Sequence, residues 1–421
     1  MPCNSTNPQS PVTDYDVIVV GAGPGGAESA RTAARAGLRT LVLEEHPTVG
    51  VPSHCTGKLS FHAFDELEIP RSLAKTAVSA AVLYSPSGVA IRVRRRHVDS
   101  YAVDRITFDR WVAERAARDG AELLTGVKVT EAARQNGNVL VRGRRGDRPF
   151  EARARLLIDA EGSAPRLLEP LGVPIPRRHA FGLQYEIRGI GGIEPDTPEM
   201  FFGDDVAPGF FAWLMPVGDG VAKVGLAVDP RRATRAPVWY LERLLDAHPA
   251  LRGRMAGAVI ERKVAGRIPL LVGDAPTSAD RVLVVGDAAG MVKATSGGGI
   301  YYAMTAGRVA GAAAARYVGG DPGALGFYER GWRERIGREI RFTAFSRRAI
   351  NRLSDAELDT VMRAIAESPR LLASIGDAGD TQFQSKLFGP LLWGLAGVTL
   401  RRPAVAPLVA KALVVGMFSQ M

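Results

Sequence analysis

Cysteine is almost missing from this chain of 421 residues, which holds only Cys3 and Cys55. Two cysteines cannot build a disulfide framework, a four-cysteine zinc site or a four-cysteine iron–sulfur cluster. No metal site is expected, and a reducing cytoplasmic setting fits. Lysine is scarce as well: eight of the 54 basic residues are lysines, so 46 are arginines, and with 44 acidic residues the formal net charge is +10. The arginines are not interleaved with stacking aromatics and no binding module is legible, which argues against a nucleic-acid partner. No stretch reaches the roughly 18 charge-free apolar residues of a membrane-spanning helix. Met1 to Asp14 has neither a basic region nor an apolar run, so it reads as a short disordered tail and not as a signal peptide.

What is present is a globular composition, 46% hydrophobic and 23% charged, at a length that allows two or three modules. The first strong pattern runs from Asp14 through Val20, an apolar β-branched segment that breaks into Gly21-Ala-Gly-Pro-Gly-Gly26. The alanine-rich stretch Ala27 to Ala36 predicts a helix closed by Gly37, and Thr40 to Leu43 predicts a buried strand ending at Glu44. Asp104 to Gly120 has helical spacing with Phe108, Trp111, Val112 and Ala116 on one stripe. Strands are expected at Thr125 to Thr130, Val139 to Arg142 and Arg155 to Asp159. A strand-rich region follows from about Phe181 to Val228. A second buried strand, Val282 to Val285, enters Gly286-Asp-Ala-Ala-Gly290, and after Gly297-Gly-Gly299 an alanine-rich helix runs through Tyr317. From Asp321 onward the chain reads as mostly helical.

The chemistry lies in the glycine clusters. Gly21-x-Gly23-x-x-Gly26 between a strand and a helix lets backbone approach a pyrophosphate and presents helix N-terminal amides to it. Glu44, at the end of the second strand, stands where a carboxylate accepts hydrogen bonds from an adenosine ribose. Asp287 is placed to accept from a hydroxyl of a cofactor spanning both clusters. The helix starting near Gly299 favours negative charge at the N1 and O2 edge of a reduced flavin. The absence of a second G-x-G-x-x-G predicts no separate NADPH domain, only transient access of a reductant.

With these motifs in place, the sequence resembles the aromatic-hydroxylase flavoprotein fold and, within it, the geranylgeranyl reductase family. Three segments carry the closer resemblance: Pro52 to Ser60 around Cys55, Phe211-Ala-Trp213-Leu-Met-Pro216, and Gly286 to Gly299. The similarity covers roughly Asp14 to Tyr317. It implies an α/β chain with a Rossmann-like FAD-binding domain, an inserted β-rich substrate domain and a helical C-terminal region. The expected boundaries are a tail over 1–13, the FAD domain over 14–60, 100–166 and 278–318, the substrate domain over 61–99 and 167–277, and the helical region over 319–421.

The resemblance further implies that Gly21, Gly23, Gly25 and Gly26 hold the FAD pyrophosphate, Glu44 the ribose, and Arg105 the cofactor, with Val129 meeting the adenine through its backbone. Asp287 would bind the ribityl chain, and Gly299 and Ile300 would lie beside the isoalloxazine. Cys55 and Thr56 would lie over the ring on the substrate side. Phe211, Trp213 and Pro216 would wall an apolar tunnel. The sequence departs from the family pattern at Glu161, Ala294, Thr56 and Lys58, where an aspartate, a proline and two glycines are usual.

Cys55 is the candidate catalytic residue, either protonating a substrate carbon or only lining the pocket; the plainer alternative is a buried structural cysteine. His54 and Lys58 are weaker candidates. Ile91 to His97 is either a strand with a solvated face or a contact for an anionic partner. The segment from Leu387 to Lys411, with Trp393, Arg401 and Arg402, is either a membrane-surface element or a helical cap, and it raises a peripheral position on the inner face of the membrane.

The leading expectation is an FAD-dependent reductase of C=C bonds in an isoprenoid or polyprenyl lipid, supplied with electrons by NADPH, ferredoxin or another flavoprotein. The alternatives are a flavin monooxygenase or halogenase acting on an aromatic substrate, and a flavoprotein that passes electrons to quinone.

Overall fold

The apolar run at the start of the chain is the central strand of an eight-stranded sheet. In the computed structural model, which describes residues 13–270, 275–378 and 380–418, Thr13–Val20 lies parallel between Arg148–Asp159 and Thr40–Glu44. Glu122–Thr125 and Val282–Val284 extend the parallel set at either end. Val17, Ile18, Val19, Leu41, Leu156 and Leu157 are all fully buried, which is why these strands read as unbroken apolar stretches and not as alternation.

The helices Pro24–Arg35 and Ile300–Val318 pack face to face in this unit, and glycines make that approach possible. A Cβ on Gly307 would stand 2.5 Å from the Gly25 carbonyl oxygen, and one on Gly311 would stand 2.6 Å from that of Ser29.

A second, seven-stranded sheet runs in the order Val259–Pro269, His179–Arg188, Val221–Val228, Phe211–Pro216, Glu199–Phe201, Ala80–Tyr84, Ala90–Arg94. One face packs Tyr185, Ile187, Leu214 and Val224 against Leu241 and Leu244 of the helix Pro237–Ala247. The other face carries Phe211 and Trp213. A small sheet of Lys58–Ser60, Ser100–Val103 and Ala74–Val78 lies where the chain passes between the two units. Six helices, from Ala324–Trp332 to Ala406–Phe418, make up most of the C-terminal region.

Several expectations need correction. The first strand begins at Thr13, so the expected tail is shorter by at least that residue, and 1–12 lie outside the described residues. The first helix starts at Pro24, because proline's fixed φ suits the first helical position. The strand expected over Thr125 to Thr130 is two strands, Glu122–Thr125 and Val127–Gln135, separated where Gly126 turns to φ +71°. The strand expected from Arg155 begins at Arg148, because its first half pairs antiparallel with Asn138–Arg145.

The domain boundaries shift too. Phe64, Leu67, Ile69, Leu167, Leu168, Leu171 and Val173 lie in stretches expected to belong to the second unit, yet they pack into the first core. The helix Phe61–Glu66 buries Ala63 and Phe64 there, and the second sheet starts only at Ala80.

Candidate active site

The glycine loop is shaped by backbone contacts. Gly21 has φ +99°, and a Cβ there would lie 2.2 Å from the Ala160 carbonyl oxygen; a Cβ on Gly26 would lie 2.0 Å from that of Gly21. Gly25 abuts Ala303 at 3.1 Å. Gly23 differs, since nothing lies within 4 Å of its added Cβ. It is the N-cap of the helix Pro24–Arg35 and contributes no capping side chain, so the amides at that helix end face open space. Glu44 closes the loop from the neighbouring strand. Its Oε2 accepts from the Ala22 amide at 2.9 Å and its Oε1 from the His46 amide at 3.0 Å. Val129 is buried near the start of the strand beyond Thr125, next to Lys128, which pairs with Glu45 at 3.5 Å.

The second cluster stands across from the first. Gly286 and Gly290 both take φ +67°, and Asp287 sits between them on a 3-10 turn. Gly299, immediately before Ile300 opens the long helix, lets the side chains of Val292 and Asp287 come close. Its Cβ would fall 2.8 Å from Val292 Cγ1 and 3.0 Å from Asp287 Oδ1. Burial pushes the Asp287 carboxyl up to about 6, with Arg105 pulling it partly back.

Arg105 links three parts of the site. It is the first residue of the helix Arg105–Arg118, which Asp104 caps by accepting from the Thr107 amide at 2.8 Å. Its guanidinium grips Asp109 through bonds of 2.9 and 2.7 Å and lies near enough to the Cys55 side chain to interact with it electrostatically. Burial opposes its charge, but Asp109 and Cys55 outweigh that and hold it above its ordinary value.

The cysteine loop is held from the other sheet. Lys223 Nζ donates to the Cys55 carbonyl at 3.1 Å, and Arg262 donates to that of Ser53. Within the loop the Gly57 amide donates to Cys55 Sγ at 3.4 Å, and Gly57, at φ +80°, passes so close to Val103 that a Cβ would stand 2.2 Å from its carbonyl oxygen. Cys55 and Thr56 are both part-exposed. His54 is exposed beside Gly266, and partial desolvation there lowers its pKa. Lys58 turns away toward Asp99, at 3.7 Å, and Thr381, at 3.3 Å.

The apolar wall differs from expectation in one residue. Strand alternation puts Phe211, Trp213 and Met215 on one face, and Pro216 on the opposite face with Ala212 and Leu214. Met215, not Pro216, continues the wall. The Trp213 ring stacks over Gly225, where a Cβ would come within 2.7 Å of it, and its Nε1 donates to Gln184 at 3.3 Å. Phe211 joins Phe210 and Phe202 in an aromatic stack.

Residues 16–174 match the family described as FAD dependent oxidoreductase, and residues 179–266 match the geranylgeranyl reductase catalytic domain. The digeranylgeranylglycerophospholipid reductase of Methanothrix thermoacetophila is 34% identical over 366 residues, covering 83% of this chain and 91% of its own. Digeranylgeranylglycerophospholipid reductase 2 of Methanopyrus kandleri is 31% identical over 366 residues, covering 84% and 90%. The chain belongs to the geranylgeranyl reductase family of FAD-dependent oxidoreductases.

A solved member of this fold, the geranylgeranyl bacteriochlorophyll reductase-like protein of Thermoplasma acidophilum, superposes with a TM-score of 0.81 at 25% identity, covering 94% of this chain and all of its own. A myxobacterial chondrochloren halogenase shares the fold at a TM-score of 0.66 and 20% identity, covering 89% of this chain and 93% of its own. Within the reductase family frame the site fits FAD: an open helix N-terminus at Gly23, a carboxylate at each expected hydroxyl position, and an uncapped helix end at Gly299.

Three residues that sequence reasoning passed over also shape the site. Lys223 is one. Arg347, from the helix Arg338–Ile350, donates to the carbonyls of Phe210 and Ala294 at 3.0 and 3.1 Å and to that of Thr295, so it ties the C-terminal region to the second glycine cluster. Burial lowers its pKa to about 9. Lys293, beneath Gly298, donates to the Thr381 carbonyl at 2.6 Å, and burial lowers it to about 8.

Proposed function

We propose that this protein reduces isolated C=C bonds in the geranylgeranyl or polyprenyl chain of a lipid. The observation that carries the reading is the composition of the wall beside the second glycine cluster: Phe211 and Trp213 pack with Ile268, Met215 continues that face, and a Cβ on Gly297 would stand 3.0 Å from Ile268. An apolar chain fits such a wall, and an unactivated alkene needs no group to polarise a carbonyl. Rate must then come from positioning in a dry site. FAD, bound by Gly21, Gly23, Gly25, Gly26, Glu44, Arg105, Val129, Asp287, Gly299 and Ile300, supplies the hydride when reduced. Cys55, with Thr56 beside it, gives the proton to the second alkene carbon.

The electron donor is external, of the NADPH, ferredoxin or flavoprotein type. Among the described residues no helix is long and apolar enough to cross a membrane. We assign the helix Phe388–Arg401 to a membrane surface: Trp393 is 82% exposed and Leu400 86%, and no Asp or Glu follows Asp380 in the sequence. Among the described residues, three of the four basic residues beyond Asp380 pair with Asp380, Glu367 and Glu357, which leaves Arg401 to meet lipid phosphate.

The test is anaerobic. The flavin is reduced, a geranylgeranyl glycerophospholipid is added, and flavin reoxidation and product mass are followed. Gain of two hydrogens per double bond is expected. Reoxidation only by O₂, with an oxygenated or halogenated product, would overturn the reading in favour of the chemistry named for the halogenase-like neighbours.

A further inference from the structure

We infer that the outer face of the seven-stranded sheet carries a second lipid site, a groove that takes one aliphatic chain of a phosphate-headed lipid and meets its phosphate with Arg235 and Arg267. The inference goes beyond the proposed reaction. The groove lies on the face of the sheet turned away from Phe211 and Trp213 and uses neither Cys55 nor a flavin contact.

Strand register fixes that face. Phe181 stands opposite Arg267 on one side and Val228 on the other, and Leu183 stands opposite Ala265. Opposed residues share a face, so these five are in phase with Tyr185, which packs toward the helix Pro237–Ala247. The paired Gly182 and Gly266 fall on the other face with Gln184, the partner of Trp213. Leu241 and Leu244 of the helix fill the space over Tyr185. Over Phe181 and Leu183 only the start of that helix and the loop from Pro230 form the facing wall, and a cavity of about 580 Å³ remains, a size common for ligand sites.

The lining narrows the occupant. Among the described residues it has no hydroxyl, amide, imidazole or carboxylate side chain, and its Pro230 and Pro237 carry no amide hydrogen. A peptide would leave polar backbone groups against such a wall, whereas a hydrocarbon chain has none to satisfy. Phe181 is 39% exposed and Val238 40%, with Trp239 beside it at 43%, and covering that apolar surface is favourable. Arg235 and Arg267 are the only charged residues of the lining. Both are exposed, and neither has a hydrogen bond or ion pair among the described residues. The nearby Arg231, Arg232 and Arg262 each meet a carboxylate. Two unpaired guanidiniums beside a hydrocarbon wall complement a phosphate carried on an aliphatic chain.

The experiment measures equilibrium dialysis of tritiated phytanyl phosphate, whose saturated chain cannot be reduced, against the FAD-loaded full chain below the concentration at which the lipid aggregates. Ala265→Trp fills the groove from the edge strand, and Val238→Glu puts a carboxylate on the facing wall. Each should remove one bound molecule per chain while flavin absorbance stays that of the wild type. The double variant Arg235→Gln, Arg267→Gln should weaken the same site about tenfold or more, the size of a lost charge-assisted hydrogen bond. Phytanol should bind there about tenfold more weakly than its phosphate, and inorganic phosphate should not displace the lipid. Unchanged binding in both Ala265→Trp and Val238→Glu would overturn the inference, and displacement by inorganic phosphate would overturn the lipid assignment. Failure of the proposed reaction reads out separately, as a geranylgeranyl lipid that gains no hydrogen while the groove still binds phytanyl phosphate.

Discussion

The glycine loop and the cysteine loop are held by opposite means. The glycine loop is fixed by backbone against backbone, with Gly21 against Ala160 and Gly26 against Gly21 at distances no side chain tolerates. The cysteine loop is fixed by charge reaching from elsewhere, through Lys223 and Arg262 on the carbonyls of Cys55 and Ser53. A loop built the first way is insensitive to charge and intolerant of a methyl group. A loop built the second way tolerates small changes in shape but responds to any change in the cations. The division suits a pyrophosphate, which needs fixed amides.

The largest effect should come from attacking the backbone contact. Gly21→Ala and Gly26→Ala should each cost about 3 kcal/mol or more of stability through clash and strain, seen as flavin-free, early-melting protein. An unchanged melting temperature would contradict the close approach. Arg262→Met should leave flavin content near wild type yet slow alkene reduction by roughly tenfold, the size of a lost charge-assisted hydrogen bond. Equal loss of flavin would show that the two loops are not separable.

Asp287→Asn should weaken FAD binding by about tenfold at pH 7. In the wild type, affinity should fall as pH drops through about 6, because the carboxylate protonates there, and the variant should lose that step in a fluorescence titration. The linkage for the FAD-free fold has the reverse sign. A carboxyl whose pKa is raised by folding contributes stability that is present below the ordinary value and lost as pH rises through about 6.

Gly23→Ala sharpens the contrast with Gly21. Its Cβ meets nothing in the protein, so the melting temperature of FAD-free protein should hold while FAD affinity falls a few-fold, on the order of 1 kcal/mol. Smallest is Trp393→Ser, which should reduce flotation with anionic vesicles by about fivefold through lost apolar burial without changing flavin content. Unaltered flotation would remove the helix Phe388–Arg401 from the membrane assignment.

The contrast also explains what could be read from the chain alone. Gly21, Gly26 and Glu44 were legible because a strand, a turn and a helix a few residues apart dictate them locally. Cys55 was legible as a candidate but not as a held group, since Lys223 and Arg262 arrive from strands 168 and 209 residues further on. Lys223 lies out of phase with Ala222, Val224 and Leu226, which fill the core on the other face of the strand, so alternation alone gave no sign of its burial. Counting by twos from Trp213 puts Met215, and not Pro216, on its face of the strand. Within the arginine run, Arg92 and Arg94 pair with Glu194 and Asp196, and no local rule reveals partners so distant; only the Arg95–Asp99 pair is local. Arg347 looked like any other arginine in an arginine-rich helix.

The bonds from Lys293 to Thr381 and from Arg347 to Ala294 and Thr295 also decide where the polypeptide can be cut. A truncation placed upstream of Asp380 removes a carbonyl that receives a buried ammonium, and one placed upstream of Arg338 also removes the guanidinium that clasps the flavin-side turn. Either would empty the cofactor site while seeming to remove only a tail. A stop codon after Leu387 spares both anchors, and it is the place to divide the helix Phe388–Arg401 from the body that holds the two glycine clusters.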